Sequence, residues 1–404
     1  MKSNLHCSVL ALCGFLCAGP LPGSAASLGT NHRLKLLTAC GYLPQLPILV
    51  RVEVLDETGR RDWSLWEAEA VLSTDTPGVA LSTNRVLLRN GLGSALVSVT
   101  GEGDFNLLAT FGGRQTNRLV RTLAQWPVTT IGGTLPGSST TWRGVVLVTN
   151  DVNVPMGHTL TIESNTLVLI HGVGSGTVAN DISVSGTILS MGTESCPVTI
   201  TCAQTNRPFR WGQIRHLYAQ PSVYRHTGIT RGGRGIGEGH TGTVPVVRAL
   251  GSKIAFDSCS LTDLAETSRS SPEFGQPGKV MQADFGADIV FDNCLLARAR
   301  MGPELIGAVL LLTNSYIVEM CGVVDSDGVL IEDSLSGQTN ILTGSVIAQG
   351  DDDGIDTANC NFTVEHCIIR NWNNPLEDSK GISIAAGEAR VRHCLLVDNA
   401  IGIS

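Results

Sequence analysis

The sequence predicts an all-β protein, a small β-sandwich followed by a long coiled stack of parallel strands. Three observations carry that expectation. Charged residues make up only 16% of the 404-residue chain and glycine occurs 46 times, where ~25% charged is usual; with Val, Ile, Leu, Thr and Asn also abundant, this suits short strands joined by many turns. Segments between 40 and 124 alternate apolar and polar residues. Beyond residue 130 one short pattern recurs at uneven steps.

The first 26 residues read as a secretory signal. Lys2 supplies a positive start, Leu5 to Cys17 is an apolar run, and Ser24-Ala25-Ala26 offers small residues for cleavage. The run is shorter than the ~20 residues a membrane span needs, and no later stretch is long enough. Cys13 and Cys17 each follow a leucine, which argues against a lipid anchor. The expectation is a secreted or cell-surface protein, monomeric and without a membrane span. A formal charge of −8, with lysine only five times among 28 basic residues, argues against a nucleic-acid binder, which needs a positive patch. Hydrophobic content of 42% excludes disorder.

Residues 40–124 contain period-two runs such as Ile48 to Val54, Glu67 to Val71, Ser94 to Val99 and Asn106 to Thr110, separated by turn clusters at Asp56 to Gly59 and Asn90-Gly91. That spacing predicts a small sandwich and resembles the immunoglobulin-like modules of bacterial surface proteins. No chemistry is visible in it, so a spacer or cap is expected.

From about 130 onward the recurring pattern is two or three apolar residues, two polar ones, a small residue, then two apolar ones. The small residue is Cys259, Cys294, Ser315, Ser345, Cys367 and Cys394, with steps of 35, 21, 30, 22 and 27. Each repeat reads as one coil, with insertions looping outward. Residues 130–404 resemble a right-handed parallel β-helix of the pectate-lyase-like type. The chain stops in a strand-like pattern at Asn399 to Ser404, so a truncated end or a missing C-terminal cap is expected.

Nine cysteines follow the signal, an odd number, and the four in the ladder read as small buried free thiols; a Cys367–Cys394 bridge between adjacent coils is the alternative. His366 and His393 read as stacked turn residues in preference to a metal pair. Gly232 to Gly239 reads as a flexible surface loop, since no helix pattern follows it to make a phosphate cradle.

A second repeat aligns Asp325-Ser326-Asp327-Gly328, Asp351-Asp352-Asp353-Gly354, Asp378-Ser379-Lys380-Gly381 and Asn399 to Gly402. If the glycines stack, Asp327, Asp353 and Lys380 share one column, and Asp325, Asp351 and Asp378 a neighbouring one, at ~4.8 Å per coil. Carboxylates so close repel by ~4 kcal/mol per pair at an effective dielectric of 20, so a cation, raised pKa values or the lysine must offset them. Ca²⁺, which takes 6–8 oxygen ligands, is the expected cofactor. A solvated Asp ladder bridged to Lys380 is the alternative.

Asp352, Asp353 and Asp356 match the Asp-Asp-x-x-Asp spacing of calcium-dependent pectate lyases, with Asp327 or Asp325 as their further Asp. That resemblance implies Ca²⁺ held by Asp352, Asp353, Asp356 and Asp327 or Asp325, Lys380 as base, and β-elimination on a uronate-containing acidic polysaccharide; the stacked columns add Asp351 to the candidate metal ligands, alongside both Asp325 and Asp327. Lysine needs its pKa lowered to act as a base. Ser326-Asp327-Gly328 with Gly350-Asp351-Asp352 is similar to polygalacturonases, which implies hydrolysis with Asp327 and Asp352 as the acid–base pair. There the chain has Lys380-Gly381-Ile382-Ser383-Ile384 in place of their histidine motif, so elimination is expected ahead of hydrolysis. A non-catalytic, Ca²⁺-stapled adhesin or carbohydrate-binding β-helix is the third expectation. Arg298, Arg300, Arg370 and Arg390 are the candidates for holding uronates.

Overall fold

A computed structural model describes residues 32–404 apart from 177, 207, 241, 272, 273, 323, 324 and 377; the expected signal at 1–26 lies outside the described residues. Strands are the only regular elements among them. In the first region the alternating runs form one continuous, mostly antiparallel sheet folded into two layers around a shared core, with Gly41–Tyr42 added parallel to Arg114–Thr122. Arg33–Thr38, Pro47–Leu55 and Leu92–Thr100 make one layer, and Arg85–Arg89, Trp66–Thr74, Phe105–Phe111 and Arg114–Thr122 the other. A hairpin at Asn90-Gly91 joins them, both residues taking the positive φ (48° and 81°) that so tight a turn demands. Val50, Val52 and Val97 from one layer meet Leu72, Leu88 and Leu107 from the other in a single core.

The second region is a parallel β-helix. Each coil contributes a strand to three sheets in turn, as Asn340–Thr343 (sheet 1), Val346–Gly350 (sheet 2) and Ile355–Ala358 (sheet 3) do. The next coil repeats the order with Phe362–Glu365, Ile368–Trp372 and Lys380–Ile384, in parallel register Leu342↔Val364, Ile347↔Ile369 and Ile355↔Ile382. The stack begins with Val128–Thr134 against Val145–Val154. Inward residues form one continuous core, including a stacked column Tyr224, Phe256 and Phe291 with ring centroids 4.9 and 4.8 Å apart.

The turn from sheet 1 to sheet 2 explains the first sequence repeat. Ser258, Asn293, Asn314, Gly344, His366 and His393 all have φ between 50° and 58°, the left-handed region that Asn and Gly enter most readily. The residue after each turns inward, where a small side chain fits. Cys294 donates to the Phe256 carbonyl at 3.4 Å and Cys367 to that of Leu342 at 3.6 Å. The ladder cysteines are free thiols. His366 and His393 stack at 4.9 Å with a 9° interplanar angle.

Sheet 2 is apolar on both faces, which the unbroken runs Leu295-Leu296-Ala297, Tyr316-Ile317-Val318 and Val346-Ile347-Ala348 require. The first region covers its outer face. Leu92, Trp63 and Trp66 pack on Leu295, Tyr316, Val346 and Ile368, and Leu46 and Leu123 on Val145, Leu167 and Leu169. Between them Glu53 binds Arg51 at 2.8 Å and Arg61 at 3.0 Å; burial opposes its charge, but the two guanidiniums prevail and hold its pKa at about 2. A disulfide, Cys40–Cys196, links the regions, a pairing that the ladder alone did not suggest.

Candidate functional site

Glycine decides where the acidic residues stand. A Cβ on Gly328 would lie 2.4 Å from the Gly354 carbonyl oxygen, one on Gly354 2.6 Å from that of Gly381, and one on Gly381 2.7 Å from that of Gly402. Only glycine lets the turns from sheet 2 to sheet 3 stack so closely, so the residues before them form a true column. Asp353 donates its N–H to Asp327 Oδ1 at 3.1 Å, and Lys380 donates its N–H to Asp353 Oδ1 at 2.6 Å. Each Asp thereby caps the backbone of the next coil.

Asp327, Asp352 and Asp353 each place a carboxylate oxygen within 4.8 Å of the other two. Asp327 and Asp353 are buried and Asp352 half-buried. Burial, then repulsion from Asp352 and Asp356, raises Asp327 well above the usual carboxylate range, despite the hydrogen bond from Asp353. Asp353 is pushed up to about 6, first by burial and then by Asp356, against the opposing pull of Lys380. Asp356, on Ile355–Ala358, acts on this pair electrostatically from the adjoining strand of sheet 3 and stands outside the group of three.

The neighbouring column does not converge as the repeat predicted. Asp351 turns away from the cluster, pairing with Arg269 through one oxygen and accepting Gly322 N–H at 3.1 Å through the other. Asp325 lies 3.6 Å from His240 Nε2. Asp378 holds the Lys380 ammonium at 2.8 Å, through its carboxylate and through its carbonyl. The three turns differ in length, so counting back from the glycine aligns residues whose backbones diverge.

Lys380 is therefore held as a cation. Burial works against its charge, but the hydrogen bond to Asp378 and attraction from Asp353, Asp378 and Asp352 outweigh it and raise its pKa.

The four arginines separate. Arg298 is bidentate to Asp263 at 2.9 Å, 3.3 Å from Glu319, and bonded to Ser94 of the first region. Arg370 lies 3.8 Å over the Trp66 ring and 3.7 Å from Asp398. Both are spent on the contact between regions, a correction to their expected role: the covering of sheet 2 claims them. Arg390 is exposed on Ala389–Arg392 of sheet 1, in register with Thr363 and away from the acidic turns. Arg300 packs its stem beside Gly322, whose N–H is held by Asp351.

Sequence reasoning missed several charged groups beside the site. Lys279 and Glu304 form an ion pair of 2.6 Å with both side chains fully buried, beneath the glycine-rich loop. Lys279 donates to the Glu238 carbonyl, and His240 N–H to Glu304. That loop is thus pinned to the outer face of sheet 3 instead of lying free. Arg269 comes from the insertion that stretched one repeat step to 35 residues; outsize insertions are where functional loops concentrate.

Comparison with known protein families, curated proteins and solved structures returned no match. The site must be read from its own chemistry. Three carboxylates within 4.8 Å, two of them buried and reluctant to ionise together, suit a hard divalent cation that takes oxygen ligands; water or a ligand carboxylate would complete a Ca²⁺ shell of 6–8.

Proposed function

We propose that the protein is an exported parallel β-helix of pectate-lyase-like kind that engages acidic polysaccharide through a divalent cation, Ca²⁺ by resemblance, at Asp327, Asp352 and Asp353. The observation that carries this reading is the convergence of the three carboxylates on two successive coils. A bound Ca²⁺ would supply charge neutralisation, both for the cluster and for a uronate carboxylate. The Cys40–Cys196 link supports export, because disulfides persist in oxidising compartments.

Between the catalytic and non-catalytic alternatives, the geometry supports binding. Elimination needs Lys380 to accept a proton, whereas its ammonium is occupied by Asp378 and lies 3.7 Å from Asp353. Inverting hydrolysis needs carboxyl groups ~6.5–9.5 Å apart to admit water, and Asp327 and Asp352 bring oxygens within 4.8 Å.

The test is incubation of purified protein with a panel of uronate polysaccharides, with Ca²⁺ or chelator, following binding, ultraviolet absorbance of unsaturated products and new reducing ends. Ca²⁺-dependent binding without either product is the expected result. A Ca²⁺-dependent absorbance rise that Lys380→Ala abolishes would establish elimination instead, and new reducing ends alone would establish hydrolysis. No Ca²⁺-dependent binding would overturn the reading.

A further inference from the structure

Beside the acidic turns, on the side facing the first region, lies a cleft of about 430 Å³, within the ~300–1,000 Å³ range of small-ligand sites. Glu67 of the first region forms one wall; Arg269, Gln349, Asp351, Asn371, Asn373 and Asn374 contribute the polar remainder, the Asn374 amide being used by the Asp351 carbonyl and the Leu376 N–H.

Its charges are already satisfied within the chain. Glu67 binds Arg89 at 3.1 Å, and Asp351 binds Arg269, whose guanidinium also lies 5.0 Å over the Phe274 ring. No surplus positive charge is left to hold an anion. What the cleft offers is amide. Asn373 is exposed and has no hydrogen-bond partner among the described residues. Asn371 uses its oxygen for Arg370 Nε at 2.9 Å, which leaves its NH₂. Gln349 Oε1 is buried without a partner. An unmet buried acceptor is costly, and rotation of this amide into the cleft would present it to a donor. Pro375 and Leu376, the latter 84% exposed, give the rim an apolar edge.

Amides pair a donor with an acceptor, which matches neighbouring hydroxyls that do both. An apolar rim suits the C–H face of a sugar ring. We infer that this cleft is a binding site for a neutral saccharide unit, separate from the carboxylate cluster and independent of any cation. It adds to the reading of the acidic site and does not rest on it.

The experiment is ligand-observed NMR and calorimetry on the full chain, in chelator, with gluco-, galacto- and manno-configured disaccharides and a galacturonate disaccharide. A neutral disaccharide is expected to bind, and the uronate to bind more weakly. Asn373→Ala should weaken that binding about three- to tenfold, the worth of one hydrogen bond. Asn373→Trp, which fills the cleft from an exposed position, should abolish it with the melting temperature unchanged. The inference is overturned if no neutral disaccharide binds, if chelator removes the binding, or if Asn373→Trp binds as well as the parent. Loss of the Ca²⁺ response alone would count against the acidic site and leave this one standing.

Discussion

Asp353 holds Lys380 twice: one carboxylate oxygen accepts the Lys380 N–H at 2.6 Å, and the other lies 3.7 Å from its ammonium. A single side chain thus continues the hydrogen bonding from coil to coil and sets the charge of the next rung. Asp327 does the first of these for Asp353. The acidic column is part of how the coils stack, as well as a place where a cation would sit.

Lys380→Met removes the counter-charge and leaves the backbone bond. In chelator at pH 7.5, where Asp353 is ionised, it should destabilise the protein by about 1 kcal/mol. At pH 4.5, where Asp353 is protonated, the difference should shrink to what the exposed Asp378 pair still contributes. Urea unfolding at the two pH values checks this, and an equal effect at both would refute the electrostatic role.

Ca²⁺ should raise the melting temperature, and Asp327→Asn should remove that response. Asparagine keeps an oxygen for the Asp353 N–H while deleting a charge from a mutually repelling group, so the cation-free variant should be at least as stable as the parent. Thermal scans with Ca²⁺ and with chelator measure both halves. A variant that is destabilised without cation, yet still responds to it, would contradict the assignment.

The pH dependence follows from the sign of the shifts. Asp353 is raised from 3.8 to about 6 and Asp327 is raised as well, so the folded state binds these protons more tightly than the unfolded chain. The Asp353 contribution to stability is complete below pH 3.8 and is lost as pH rises through about 6, and that of Asp327 has the same sign. Glu53 has the opposite sign: lowered from 4.5 to about 2, it stabilises above pH 4.5 and loses its effect as pH falls through about 2. In chelator the urea midpoint should therefore decline between pH 4 and 6.5, and Asp353→Asn should flatten that decline.

Arg298→Ala should act on stability and leave polysaccharide binding alone. It strands Asp263, whose carboxylate the guanidinium holds at 2.9 Å. Removing one member of a buried pair costs about 3–5 kcal/mol. Denaturant titration measures this; a binding defect in a variant of unchanged stability would restore Arg298 to the ligand.

The Cys40–Cys196 bridge closes a separation of 156 residues, and replacing both cysteines with serine should cost about 2–4 kcal/mol. Lys35–Glu194 at 2.9 Å sits beside it, so the first region should remain docked and the parallel core intact. Denaturant unfolding of the oxidised and serine forms gives the difference.

The stacking of the coils was legible in the chain because it is a local demand repeated. Each coil needs one left-handed residue and one small inward residue between sheets 1 and 2, and glycine between sheets 2 and 3 wherever carbonyls press together. Those demands wrote Cys259, Cys294 and Cys367, and Gly328, Gly354 and Gly381, at readable intervals, and with them the column Asp327, Asp353, Lys380. The first strand, Arg33–Thr38, was missed because its pairing with Pro47–Leu55 is decided outside its own pattern.

Side-chain partners were another matter. Asp351 and Asp352 are adjacent and chemically identical, yet one faces Arg269 and the other the carboxylate cluster. Arg298 and Arg370 look like any exposed arginines until Ser94 and Trp66, more than 200 residues earlier, arrive over sheet 2. Periodicity encodes what neighbouring coils must share, because each coil meets the same steric problem. Which charge meets which depends on turn lengths and on long-range docking, and there contacts between residues distant in the chain make the choice.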